Sequence, residues 1–355
     1  MSGWHADFPA VGPSISVRFL FLRRGFLLLV LGCFTQASGV CHGKGGRELR
    51  IMWYNVENLF HPDDDSLAGD DEFTPAGSRN WSLYRYRQKL TALAKVIVAA
   101  GYWEPPGVVG MCEVENRRVL EDLISHPVLA PYHYRVVHSD SPDHRGMDVA
   151  CLYREDRIGE AGWRAITCNV PGRGEATRQI LLLDLVWRRD TLELILLHFI
   201  SKFGGEGATA DPRRDQAVQL AGIVDSLYRV HPGRLILVAG DFNEIYEGYS
   251  MEPVRTVRFA KDSLVRVALE GWAGSYKYQG KWSCIDQFLA CVPHQMYRIT
   301  GMILNLPVLL VPDETYGGSK PFRTYQGPMY AGGISDHLPV LVEITRSPFS
   351  AGSGW

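Results

Sequence analysis

Apolar runs in this chain break off at the same few polar residue types. Leu49–Tyr54 gives way to Asn55-Val56-Glu57-Asn58, and Val108–Cys112 to Glu113-Val114-Glu115-Asn116. Leu235–Ala239 gives way to Gly240-Asp241-Phe242-Asn243, and Leu338–Ile344 is preceded directly by Ser335-Asp336-His337. Short runs rich in Val, Ile and Leu read as strands. A strand end is where a fold can hold a carboxylate, an amide or an imidazole rigidly about one point. Asp, Glu, Asn and His converging there are the ligand chemistry of a hard cation acting on a phosphate.

Helical patterns separate these strands. Trp81–Ala100 carries Leu90, Leu93, Ala94, Ile97 and Val98 at helical spacing, with Gly101 as a stop. Val119–Ile124 reads as a short helix, and Pro212–Tyr228 as an amphipathic one with Ala217, Leu220, Ile223, Val224 and Leu227 on one face. Tyr132–Val137 and Val149–Tyr153 read as strands. Gln179–Trp187 and Leu192–Phe199 form a hairpin, and residues 275–290 hold a further strand pair. Strict strand–helix–strand alternation is missing, which excludes a doubly wound Rossmann sheet.

The chain has 355 residues, 46% hydrophobic and 21% charged, enough to bury a substantial core. A net charge of −2 argues against a protein that coats nucleic acid by electrostatics alone, but leaves room for a local basic rim. Seven cysteines are few for a disulfide scaffold of this length, and no CxxC occurs. Cys112, Cys151, Cys284 and Cys291 fall in apolar runs and are expected as buried thiols.

Residues 1–39 read as an export signal. Arg18, Arg23 and Arg24 precede the run Phe26–Leu31, too short to span a bilayer and suited to a signal-peptide core. Val30-Leu31-Gly32-Cys33 resembles a lipobox that would lipidate Cys33, and Ala37-Ser38-Gly39 offers a conventional cleavage site. The protein is therefore expected to be exported: periplasmic, lipid-anchored or extracellular, touching membrane only through an anchor at Cys33. A linker at 40–48, one domain at 49–346 and a tail at 347–355 complete the expected organisation.

In order along the chain, Tyr54–Asn58, Cys112–Glu115, His198 in Leu-Leu-His-Phe, Gly240–Asn243, Ile285-Asp286-Gln287-Phe288 and Ser335–His337 resemble the endonuclease/exonuclease/phosphatase superfamily. The resemblance implies an α/β (α+β) fold, a four-layer αββα sandwich. Two mainly antiparallel mixed sheets would pack face to face with helices outside and a metal site at one end. It implies hydrolysis of phosphate esters with Mg²⁺ or Mn²⁺, on nucleic acid, nucleotides, sphingomyelin or inositol phosphates.

The family pattern places the metal on Asn55, Glu113 and Asp336. Glu115 competes with Glu113, since both would share a face if the strand continued; the motif favours Glu113. Glu57 would assist through water. Asp241 and Asn243 are expected to face one side around a buried Phe242, Asp241 activating the attacking water and Asn243 donating to a phosphate oxygen or binding a second metal. His337 would act as base or as cationic stabiliser with Asp286 fixing its ring, and His198 would stabilise phosphoryl charge. Arg145, Arg178, Tyr276, Lys277, Lys320 and Arg323 are the candidate substrate contacts, since cations mixed with rings suit a phosphate joined to a stackable group. The acidic loop 61–72 lacks EF-hand spacing and reads as solvated. A nuclease or nucleotide phosphodiesterase leads. A lipid-headgroup or inositol-phosphate hydrolase, or a non-catalytic binding module on the same fold, are the alternatives.

Overall fold

The computed structural model describes residues 48–347, except 64–68, 70, 103, 160, 172–176, 260–261 and 294–295. The expected signal segment with Cys33, nearly all of the linker and tail, and part of the acidic loop lie outside the described residues. The chain divides into units 1–40 and 41–355, and every described residue belongs to the second.

Two sheets make up the body. The first has the order β10 (Leu269–Glu270), β14 (Tyr297–Ile303), β19 (Val340–Arg346), β1 (Glu48–Leu59), β2 (Val108–Val114), β4 (Asp148–Arg154), β3 (Tyr134–His138). The second has the order β5 (Ala161–Thr167), β6 (Gln179–Trp187), β7 (Asp190–His198), β8 (Leu235–Asp241), β13 (Asp286–Cys291), β9 (Val265–Arg266). The pairs β1–β2, β7–β8 and β10–β14 are parallel and the other pairs antiparallel, so both sheets are mixed. Three small hairpins stand apart: β11 (Tyr276–Tyr278) with β12 (Lys281–Ser283), β15 (Leu310–Pro312) with β16 (Ser319–Pro321), and β17 (Tyr325–Gln326) with β18 (Met329–Tyr330).

Period-two alternation builds the layers. In the second sheet, Leu181, Leu183, Leu194, Leu196, Leu235, Leu237, Ala239, Phe288 and Ala290 pack with first-sheet residues such as Ile51 and Trp53. Their neighbours Ile180, Leu182, Ile195, Leu197, Ile236, Val238, Leu289 and Cys291 face the other way, onto Ala217, Leu220, Val224 and Leu227 of α3 (Glu206–Val230) and Val254 of α4 (Glu252–Arg255). A strand buried on both faces has no polar positions to spare, hence its continuous apolar run. The other outside layer is α1 (Leu83–Ala100) with α2 (Arg117–Ser125); α1 sets Leu93, Ala94 and Ile97 into the core. Ser82 caps α1 by accepting from Arg85 N, and Asn116 caps α2 by accepting from Val119 N. This is the αββα sandwich.

Gly110 lets the sheets approach: a Cβ there would lie 2.8 Å from Leu196 and 2.9 Å from Trp53. Helix α3 begins before Pro212, which sits inside it. Strands β5 and β14 escape the sequence pattern because Arg, Thr and Gly interrupt their apolar residues. All five described cysteines are free thiols, and Cys112, Cys151, Cys168 and Cys291 are buried.

Candidate active site

The same alternation that fills the core carries three polar side chains to its open end. His198, Asp241 and Asp286 continue the inward-facing series of β7, β8 and β13. The register aligns His198 with Asp241 and Asp241 with Asp286 across neighbouring strands. From the first sheet, Trp53 and Asn55 continue the inward series of β1. Asn55 Nδ2 donates to Asp241 Oδ2 at 3.1 Å and to Glu113 Oε1 at 3.1 Å. Trp53 Nε1 donates to Asp286 Oδ1 at 3.0 Å.

His337 arrives in the connection to β19. Its Nδ1 is 2.6 Å from Asp286 Oδ2, and its Nε2 lies 3.9 Å from both Asp241 Oδ2 and Asp336 Oδ1. Ser335 fixes the approach: its hydroxyl donates to Asn55 O at 2.7 Å and accepts from His337 N at 3.0 Å. Burial by itself would depress the His337 pKa. Asp286, its hydrogen bond, Asp241 and Asp336 override that and hold it well above the usual histidine value. Asp241 moves the other way from its norm: burial, then the Asp286 charge, push it up to about 7 against the pull of His337. Burial, then Arg145 and His337, lower His198 to about 3, so its imidazole is neutral 3.7 Å from Asp241.

A bulge aims Glu113. The β2–β4 register shifts between Cys112 and Val114, and Glu113 takes φ +62°. Its Oε1 meets Asn55, and its Oε2 accepts from Asn58 N at 3.1 Å. The strand therefore does not continue as the expectation for Glu115 required. Glu115 is buried elsewhere and accepts from His61 N.

Glu57 and Asn58 also sit at positive φ, in a bulge between β1 and β2. This turns the buried Glu57 carboxylate onto Thr324 N and 3.5 Å from Arg323 Nε, while Arg323 Nη2 donates to Asp336 Oδ2 at 2.9 Å. Buried Lys89 of α1 donates from below to Glu57 O and Thr324 Oγ1. Burial brings the Lys89 pKa down to about 8 despite the Glu57 charge. Burial, then Asp336, raises that of Glu57.

Several expectations need correction. Asn55 turns its amide nitrogen, not its oxygen, toward Glu113 and Asp241; the oxygen accepts from Glu57 N at 3.0 Å. Its amide nitrogen bridges the two carboxylates. Asn243 does not alternate with Asp241: the strand ends, Asn243 takes φ +49°, and its Nδ2 donates to Phe199 O. Its backbone N–H secures Asp241 Oδ1 at 2.8 Å. Arg178 is buried, donating to Phe199 O and lying 3.4 Å from Asp143. Lys277 is buried 2.7 Å from Asp313 and donates to Gly317 O and Ser319 O. Lys320 is half-buried, its charge also acting on Asp313. Tyr276, Arg323 and Arg145 remain at the mouth: Tyr276 against the His337 ring at 4.8 Å, Arg145 close enough to act on His198.

The sequence reading missed Trp53, Lys89 and Ser335 as supports. Trp53 had a signal, since it precedes Asn55 by two residues on one strand and so shares its face. Lys89 had only its place on the apolar stripe of α1.

The donor set fits a hard divalent cation. Glu113 and Asp336 are half-exposed carboxylates beside three buried ones, Glu57, Asp241 and Asp286. Asn58 Oδ1 and His198 Nδ1 are buried with no hydrogen-bond partner. Asp241, Asp286 and His337 also bring ligand atoms within 4.8 Å of one another.

The profile of the Endonuclease/Exonuclease/phosphatase family matches residues 50–346. A comparison with curated proteins finds no match. Among solved structures, a humanized D. rerio TDP2 is similar at TM-score 0.52 and 14% identity, covering 84% of this chain and 100% of that one. The human Nocturnin catalytic domain with bound sulfate is similar at TM-score 0.53 and 11% identity, over 85% and 95%. A Bacteroides thetaiotaomicron protein of the same family is similar at TM-score 0.52 and 18% identity, over 84% and 98%. These likenesses are of fold.

Proposed function

The chain belongs to the endonuclease/exonuclease/phosphatase family, and on that premise we propose that it is a divalent-metal-dependent phosphodiesterase acting on nucleic acid or nucleotides. The observation that carries the reading is the convergence of Asp241, Asp286 and His337 at one buried point, with ligand atoms within 4.8 Å of one another. Asp241, poised near neutrality at about 7, suits a general base. His337, held cationic by Asp286, suits stabilisation of phosphoryl oxygens.

In the proposed reaction a water oxygen attacks phosphorus in line with the ester oxygen. Its proton passes to Asp241, the P–O ester bond breaks, and the leaving alkoxide takes up a proton from solvent water. His198, neutral, offers a hydrogen bond to a phosphoryl oxygen. Asn55 and Asn243 keep both Asp241 oxygens in place, and Trp53 does the same for Asp286. Glu113 and Asp336 would hold Mg²⁺ or Mn²⁺. Bound there, the cation would supply Lewis-acid stabilisation of the charge that develops on the phosphoryl group.

The test is hydrolysis by the purified protein of plasmid DNA, single-stranded RNA, nucleotide esters, inositol phosphates and sphingomyelin with Mg²⁺, Mn²⁺ or EDTA. Cleavage of nucleic acid or nucleotide esters that needs metal and His337 is the expected result. Preference for sphingomyelin or inositol phosphates would move the substrate class. No turnover and no metal binding would leave a binding module. We propose in addition that the protein is exported and lipidated at Cys33; blocking lipoprotein signal peptidase should then leave an unprocessed precursor.

A further inference from the structure

Among the described residues, most cations around the mouth are already matched by carboxylates. Lys202 is 3.0 Å from Glu206 and 3.2 Å from Glu244. Lys277 pairs with Asp313, Arg323 with Asp336 and Glu57, and Arg178 and Arg145 share Asp143. A protein that follows a polyanion phosphate by phosphate needs cations it can give to it, and its binding then weakens steeply with salt. Among the described residues this mouth offers few.

What it offers instead is aromatic. Tyr276, at the inner end of β11, forms a bridge with His337 and sets its ring 4.8 Å from the imidazole at 36°. Alternation puts Tyr278 on the same face, about 7 Å further out, and Tyr278 is 63% exposed. Lys277 between them faces the other way, buried on Asp313.

The support is firm. The turn at Gln279–Gly280 has φ +45° and +79°, and a Cβ on Gly280 would lie 2.9 Å from Tyr316 Cβ. Only glycine lets the β11–β12 hairpin close against the β15–β16 hairpin, and Lys277 ties the two through Gly317 O and Ser319 O. An exposed ring on a braced hairpin thus stands about 7 Å beyond Tyr276, which itself packs on the His337 imidazole.

We infer that the substrate is a compact nucleotide ester, one reacting phosphodiester carrying one base that stacks on Tyr278, rather than a nucleic-acid polymer. The inference rests on the phosphodiesterase reading above and narrows it. Stacking tolerates any base, because every base has a π-face, so little base preference is expected.

The test compares three substrates with the metal-loaded protein: the p-nitrophenyl ester of thymidine 5′-phosphate, methyl p-nitrophenyl phosphate and a long oligothymidylate. The first two share a leaving group and differ by the nucleoside. The expected result is a preference for the nucleoside ester, measured as a ratio of kcat/KM. Tyr278→Ala should lower that ratio about tenfold and Tyr278→Phe should preserve it. Across a tenfold rise in salt, kcat/KM for the nucleoside ester should fall no more than about fivefold, the slope of a single phosphate contact.

Preference for the oligothymidylate with a salt-dependent loss of roughly a thousandfold would overturn the inference, since that is the signature of several phosphate contacts. So would an unchanged ratio in Tyr278→Ala. Preferential, Tyr278-dependent cleavage of p-nitrophenyl phosphocholine would overturn it by giving the ring to a quaternary ammonium. No cleavage of any ester by the folded, metal-bound protein would remove the phosphodiesterase reading and this inference with it.

Discussion

Trp53 and Asp286, 233 residues apart, meet through one hydrogen bond of 3.0 Å between the two sheets. An indole N–H can only donate, so the contact commits Asp286 Oδ1 as an acceptor and leaves Oδ2 for His337. The charge that keeps His337 protonated is therefore held by a core residue of the opposite sheet.

Trp53→Phe keeps an aromatic ring, though a smaller one, and leaves a buried carboxylate oxygen without its donor. We expect kcat to fall about tenfold, as loss of such an orienting partner typically gives, in a protein that remains folded. Steady-state kinetics beside circular dichroism would check this; unchanged kcat would mean His337 alone orients Asp286.

His337→Ala should lower kcat about a hundredfold or more without unfolding the protein, the usual cost of removing a positioned acid–base or charge-stabilising group. Normal turnover in this variant would exclude it from the chemistry.

Glu113→Gln and Glu115→Gln should separate by readout. The first should raise the Mn²⁺ concentration for half-maximal activity by about tenfold or more. The second should lower Tm instead, because Glu115 accepts the buried His61 N–H. Reversed effects would exchange their roles.

Lys89→Met removes the ammonium that ties Glu57 O to Thr324 Oγ1. The segment carrying Arg323 then loses its anchor beneath Asp336. We expect metal half-saturation to rise about tenfold and Tm to fall; calorimetric titration with Mn²⁺ would show whether affinity moves.

The Asp241 contribution to stability of the metal-free protein should fall as pH rises from about 4 to about 7, because its pKa rises from 3.8 to about 7 on folding. His337 acts in the same direction: its contribution is whole below about 6.5 and is lost as pH climbs through its raised folded value. His198 opposes them, its stability present above 6.5 and lost as pH falls toward about 3. Between about 4 and 6.5 the Asp241 and His198 contributions nearly cancel, so Tm against pH in EDTA should rise with pH more steeply in Asp241→Asn than in the unchanged protein. An unaltered profile would place the titration elsewhere.

The sequence determined the long apolar elements and the family, and through the family the layers. Hydrophobic periodicity is a local property, so β1, β2, β7, β8 and α1 could be found in it, and with them the polar residues at their ends. Only the tertiary structure decided which of those groups face the site and which are already committed. Glu113 is aimed by a bulge at φ +62°, and Arg178 and Lys277 are occupied by Asp143 and Asp313. Asn55 shows its nitrogen because Glu57 N claims its oxygen. Trp53, Lys89 and Ser335 gained roles from partners more than 200 residues away. A side chain's partner across the fold leaves no trace in its neighbours along the chain, because the free energy that selects it comes from burial and hydrogen bonds made only once the sheets have closed.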